Sequence, residues 1–392
     1  LRANHSYFNK LSPAEQSRFE ERVIAFAERK TFSGRQDLSV TREVEISIAA
    51  SAVQLTLGLE TWDLSYFKQI LVYPADYKSP ATGKYHKGET NMGGFLCFSW
   101  KAFQEGNAIP NDKVNLGLHE FAHALRFNGI RGSETDYFFE NYFARWLACA
   151  YSEFKKLQRD PSGSIFRKYG GVNINEFFSV AVETFFEAPA EFKTALPELY
   201  RHTSILLNQT FTDTGAVTVG CRNALLETNG FVLSKAHPNI MRFNLMNLGR
   251  SVVAVIFLLF GLIALTGGGH RYPTPYILLG IGAFIWSILE LNYSRVSFGK
   301  DHFAIQKGFL IHQKWREKTM PYSALISFKA SYEYAYDDQG NRSYKYVNRS
   351  SVAYYTNGNF YKEKLHIEPL QPAFDELCKE LKRNNIFVAI ME

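Results

Sequence analysis

Along the first 235 residues apolar positions recur with two periods, one helical and one alternating, so this stretch reads as a domain of the α/β (α+β) class. Ser12-Pro13-Ala14-Glu15 joins a capping Ser, a Pro at the first helical position and a Glu three residues after the cap. It opens an amphipathic helix with Phe19, Val23 and Phe26 on one face, expected to reach about Lys30. Residues 43–57 are mostly apolar and suit a buried helix, whereas Gln69 to Pro74 and Gly94 to Trp100 are short apolar runs that suit strands.

The pattern then changes. Residues 251–269 and 272–289 carry no charged side chain, and each is close to the ~20 residues a helix needs to cross the hydrocarbon core of a bilayer. A buried soluble hairpin would show a polar stripe, which these stretches lack, so residues 250–291 are expected to form a transmembrane helical hairpin. Lys235, Arg242 and Arg250 precede it, Arg295 and Lys300 follow it, and Arg271 alone lies in the turn. By the positive-inside rule both flanking domains are expected on the cytoplasmic side of the membrane. From 294 to 392 short β-rich runs alternate with turns (Phe303–Ile305, Phe309–Ile311, Ala324–Phe328, Ser351–Tyr355, Lys364–Ile367), and a helix from Pro372 to Arg383 closes the chain. Strands capped by one terminal helix resemble a bacterial pleckstrin-homology-like domain. The expected organisation is therefore 1–235, 250–291 and 294–392.

Apolar residues at 46% and aromatics at 15% supply ample cores and exclude a disordered chain. The net charge of +6 comes from scattered Lys and Arg, not from basic runs interleaved with aromatics, so no nucleic-acid partner is expected; attraction to membrane lipid accounts for the charge equally well. Cys97, Cys149, Cys221 and Cys378 lie far apart with no C-x-x-C pair, as in a reduced, cytosol-facing protein.

The clearest chemical signal is His119-Glu120-Phe121-Ala122-His123. A helix with His at two positions four apart presents both imidazoles from one face, where they can take two corners of a zinc site with the intervening Glu beside the open corner. Asn111 or Asp112 is expected to cap this helix and Asn128-Gly129 to end it. No His follows at the distance of the elongated motif, so Glu is the expected third ligand. Glu176, Glu183 and Glu187 project from nearly one face of a helix capped by Asn173 or Asn175 and stopped at Ala188-Pro189. A carboxylate row on an otherwise apolar helix would be costly to bury unless something cationic met it.

Residues from about 11 to 207 resemble the MtfA-type zinc peptidases in four blocks: Thr41 to Ala52, Ile70 to Pro74, Leu118 to His123 and Glu176 to Phe186. The resemblance implies a zincin-like α/β metallopeptidase domain with one Zn2+ held by His119, His123 and a Glu that falls on Glu183. Gly93 to Trp100 resembles the family's strand beside the active site, to which an extended peptide backbone can pair. It further implies that Glu120 takes a proton from the attacking water and that Tyr169, before Gly170-Gly171, supplies an oxyanion donor. The chain departs from the pattern at Arg126, where an Asp commonly follows Leu. The expected function is a membrane-tethered zinc metallopeptidase acting on a peptide or protein substrate. The alternative is a regulatory binding module that sequesters a transcription factor or other partner at the membrane, a role in which Glu120 is not needed.

Overall fold

The structure is a computed structural model, and it describes residues 5–80, 82–131, 137–227, 237–241, 292–309, 316–336, 342–356, 359–365 and 371–391. Two compact units, Leu1–Thr228 and Asn229–Glu392, divide the chain. The first holds helices α1 (Pro13–Arg29), α2 (Arg42–Thr56), α3 (Trp100–Ala108), α4 (Leu116–Arg131), α5 (Tyr137–Arg159), α6 (Ile174–Glu187), α7 (Pro189–Ala195), α8 (Pro197–Leu207) and α9 (Arg222–Glu227). Its strands are β1 (Thr31–Gly34), β2 (Gln69–Tyr73), β3 (Tyr77–Lys78), β4 (Tyr85–His86), β5 (Gly88–Asn91), β6 (Phe95–Ser99), β7 (Gln209–Phe211) and β8 (Val217–Val219).

Local chemistry sets the helix starts. Ser12 and Glu15 form the reciprocal capping box, satisfying two N–H groups that the helix itself leaves orphaned. Thr41 caps α2, whose residues from Ile48 to Thr56 are all buried. The motif helix α4 is capped by Asn115, whose Oδ1 accepts the Leu118 N–H at 3.0 Å, and not by Asn111 or Asp112. Asp112 is occupied one turn earlier, accepting the Val114 N–H at 2.9 Å. Nor does α4 stop at Asn128-Gly129: Asn128 Oδ1 instead accepts the Tyr66 N–H at 3.0 Å, tying the helix to the loop before β2.

The central sheet runs in the order β1-β2-β6-β5, with β1, β2 and β6 parallel and β5 antiparallel at the edge. This corrects one expectation. The strand from Gly94 to Trp100 contains β6, which is hydrogen-bonded on both sides, so on this side of the sheet the edge without a further strand among the described residues belongs to β5. Phe121 of α4 is fully buried with its ring 5.9 Å from Phe26 and 5.4 Å from Phe98, locking the helix between α1 and β6. On its other flank α4 packs on α6, itself fixed by Phe177 and Phe178 against Trp146.

The second unit is β-rich. Strands β9 (His237–Met241), β10 (Asn292–Phe298), β11 (His302–Phe309) and β12 (Arg316–Pro321) form an antiparallel sheet in the order β12-β11-β10-β9. A second sheet joins β13 (Leu325–Tyr336), β14 (Arg342–Thr356), β15 (Asn359–Leu365) and β16 (Phe387–Met391), with α10 (Gln371–Arg383) between β15 and β16. Val296, Phe298, Phe303, Phe328, Leu377 and Leu381 share its core. The terminal helix is therefore followed by a strand, β16, which pairs in parallel with β13. No helix among the described residues is long and apolar enough to cross a membrane. The expected hairpin at 250–291 lies outside the described residues.

Candidate metal centre

Helix α4 turns His119 and His123 toward α6, with their Nε2 atoms 3.2 Å apart. Glu176, in the first turn of α6, is held there by the Asn173 cap, whose Oδ1 accepts the Asn175 and Glu176 N–H groups at 2.9 and 3.1 Å. Glu176 Oε2 lies 3.1 Å from His119 Nε2 and 3.3 Å from His123 Nε2. Two imidazole nitrogens and a carboxylate oxygen thus form a nearly equilateral triangle. A tetrahedral zinc with bonds of about 2.0–2.1 Å requires ligand atoms about 3.3 Å apart, so this group fits a zinc site with its fourth position left to solvent or substrate.

The resemblance placed the third ligand at Glu183. The structure puts Glu183 on the opposite side of the same imidazole: its Oε1 is 2.7 Å from His119 Nδ1, and its side chain is 1% exposed. Glu183 also accepts from Arg167 at Oε1 and from the Asn115 N–H at Oε2, the latter at 2.7 Å. Such a carboxylate fixes the ring tautomer, leaving Nε2 free to bind a metal. Asn115 thereby links the start of α4 to α6, since its Nδ2 donates to Glu187 Oε1 at 3.1 Å. Glu187 makes no contact with either imidazole and serves this brace instead.

The electrostatics of the bare site favour a cation. Burial alone would push the His119 imidazole down, but its bonds to Glu176 and Glu183 outweigh burial and hold it up at about 10. Burial likewise works against the Glu176 carboxylate, and the bonds from His119 and His123 overcome it, taking Glu176 down to about 2. Tyr169 stands at the rim, half exposed, with its ring 5.8 Å from that of His119. Burial and then the neighbouring Glu176 and Glu120 carboxylates push its phenol up, so it stays protonated and able to donate. Glu120, 6% exposed, lines the same cleft of about 470 Å³ together with Gly88 of β5, and Tyr85, Ile109 and Val114 leave exposed apolar surface along it. The expected residues His119, Glu120, His123 and Tyr169 are thus brought together. Arg126 is turned away, with its guanidinium 3.9 Å from the Phe143 ring centre and 3.6 Å from Glu140.

Sequence reasoning missed the brace made by Asn115 and Arg167 as well as the placement of Glu176. An Asn three residues before Leu118 was a readable capping signal, but nothing in the spacing marked Arg167.

A family model described as glucose-regulated metallo-peptidase M90 matches residues 1–208. An uncharacterised protein of Synechocystis is 29% identical over 217 residues, covering 50% of this chain and 77% of that protein. Mlc titration factor A of Klebsiella pneumoniae is 27% identical over 210 residues, covering 49% and 78%, and that of an Escherichia coli strain shows the same identity and coverage. With the motif helix, the acidic partner helix and the open cleft in one domain, and with the family model spanning more than half of its length, this chain belongs to the glucose-regulated M90 metallopeptidase family.

Proposed function

We propose that the first unit hydrolyses peptide bonds in a peptide or protein substrate, with His119, His123 and Glu176 holding one Zn2+, Glu120 as general base and Tyr169 as oxyanion donor. The observation that carries this reading is the ligand triangle of 3.1, 3.2 and 3.3 Å beside a buried Glu at the floor of an open cleft. When bound, zinc would supply Lewis acidity toward the scissile carbonyl and the attacking water. Glu120 accepts the water's proton and then passes it to the departing amine. The substrate lies extended along the outer edge of β5, where backbone pairing fixes its register and the exposed Tyr85, Ile109 and Val114 meet its apolar side chains. Tyr169 donates from the rim to the carbonyl oxygen as negative charge develops there. Purified protein should contain zinc and cleave a mixed peptide library, lose the activity with a chelator and regain it with added Zn2+. Zinc-free protein with undiminished hydrolysis would end this reading.

The same proposal tethers the chain to a bacterial inner membrane through residues 250–291, with both units on the cytoplasmic side. Its support is the uncharged sequence of 251–269 and 272–289 and the pairing of β9 with β10, Met241 opposite Arg295, which brings the two ends of the intervening segment side by side. A chain returned in this way crosses a bilayer an even number of times. A cysteine placed at Gly268 should be labelled from outside the cell; labelling of one placed at Lys300 would contradict the topology.

A second reading rests on the name of the Mlc titration factors, which implies a protein partner, Mlc, for those relatives. By analogy this chain would sequester a regulator, and a Glu120→Gln variant would then keep its full cellular effect.

A further inference from the structure

Strand β5 has alternating faces. Gly88 and Thr90 point toward α4, while Glu89 and Asn91 share the opposite face, where Asn91 Nδ2 donates to Glu89 Oε1 at 2.9 Å. Thr90 Oγ1 lies 2.8 Å from Glu120 Oε2 and 2.9 Å from the Glu120 carbonyl oxygen, so its single hydroxyl hydrogen is shared between the side chain and the backbone of one residue. The other carboxylate oxygen lies over Gly88. A Cβ at position 88 would sit 2.6 Å from Glu120 Oε1, 2.7 Å from its Cγ and 2.8 Å from its Cδ.

Glycine at 88 is not explained by backbone conformation, because its φ lies outside the left-handed region that Gly83, Gly94, Gly215 and Gly220 occupy. Its three nearest obstacles all belong to the Glu120 side chain. The missing Cβ therefore leaves room for that carboxylate. All three obstacles are side-chain atoms and none is backbone, so an added methyl would displace the Glu120 side chain from Cγ outward and leave the strand and helix in place.

We propose that β5 holds Glu120 in its working orientation, with Thr90 and Gly88 as the positioning residues: Thr90 ties one oxygen, and Gly88 leaves the other room to face the cleft. The inference rests on Glu120 being the base. It makes one strand do two things, since β5 also presents the outer edge along which the substrate backbone pairs. Backbone pairing by a substrate would then steady the residue that orients the base.

Three variants of the full chain test this. Thr90→Val keeps the size and removes the donor, and kcat should fall about 10- to 100-fold with KM within about threefold, as for loss of a hydrogen bond to a charged group that matters in the transition state. Thr90→Ser restores the donor and should recover most of the loss. Gly88→Ala should fold with a nearly unchanged thermal midpoint, lose kcat to a similar degree, and show in its crystal structure the Glu120 carboxylate displaced from Thr90. All three should retain zinc. The inference is overturned by wild-type kcat in Thr90→Val, by a serine variant as impaired as the valine one, by an unmoved Glu120 in Gly88→Ala, or by zinc loss that parallels the loss of rate. Failure here is distinguishable from failure of the peptidase reading: if Glu120→Gln is inactive while Thr90→Val is not, only the positioning role falls.

Discussion

Replacing Glu176 and Glu183 separately by Gln should have unequal effects on zinc, because the two carboxylates sit on opposite nitrogens of His119. Glu176 Oε2 is 3.1 Å from Nε2 and Glu183 Oε1 is 2.7 Å from Nδ1. The nitrogens of an imidazole point away from each other, so a metal on Nε2 is separated from Glu183 by a bond, the ring and a hydrogen bond, roughly 6 Å in all. Glu183→Gln should therefore weaken zinc binding by the 10–100-fold typical of a group that orients a ligand, or about 1.4–2.7 kcal/mol. Glu176→Gln removes a ligand and should weaken it further. The order reverses for the stability of the metal-free fold. Glu183 is 1% exposed and carries the charge of Arg167, so its loss should cost about 3 kcal/mol, near the low end for a broken buried pair because Arg167 keeps 30% of its side-chain surface in water. Competition titration with a chromophoric chelator gives the affinities, and urea unfolding of the metal-free proteins gives the stabilities. Weaker zinc binding in Glu183→Gln than in Glu176→Gln would refute this assignment of ligand and brace.

Two further outcomes follow from the same site. Burial pushes the Glu187 carboxyl up from 4.5 to about 7 against the opposing bond from Asn115, with Asp112 and Glu183 adding to the rise. The folded metal-free protein then keeps a proton that the unfolded chain loses between about pH 4.5 and 7, so stability falls as pH rises through that window; Glu187→Gln should stabilise the protein at pH 8 by about 1–3 kcal/mol and change little at pH 4, as read by urea unfolding. Tyr169→Phe should keep zinc and lower kcat by about 100- to 1,000-fold, the usual loss for one oxyanion donor; a steady-state assay with unchanged kcat would remove Tyr169 from the chemistry.

The sequence spelled out the motif helix and the capping of α1, and offered Asn173 as one of two caps for α6, because those features are local: Ser12 with Glu15, and Asn173, act within one turn of the helices they start. Residues 176 and 183 are seven apart, two turns on one helical face and about 10 Å along the axis. Which turn meets His119 Nε2 depends on how α6 slides along α4, a tertiary fact that no spacing encodes. Strand β5 was missed for a different reason. Gly-Glu-Thr-Asn has neither apolar alternation nor strong strand propensity, which is how a polar edge strand reads. The pairing of β9 with β10 joins residues about fifty apart across the apolar segment, so β9 carried no sign in sequence of the sheet it enters.

The central claim is tested most directly by Glu120→Gln, which keeps the size of the side chain and leaves His119, His123 and Glu176 in place. Zinc content and peptide hydrolysis would be measured on the same purified preparation. The variant should retain its zinc while hydrolysis falls about 100- to 10,000-fold, the loss expected when a general base is removed. Hydrolysis at the wild-type rate by the zinc-loaded variant would contradict the mechanism.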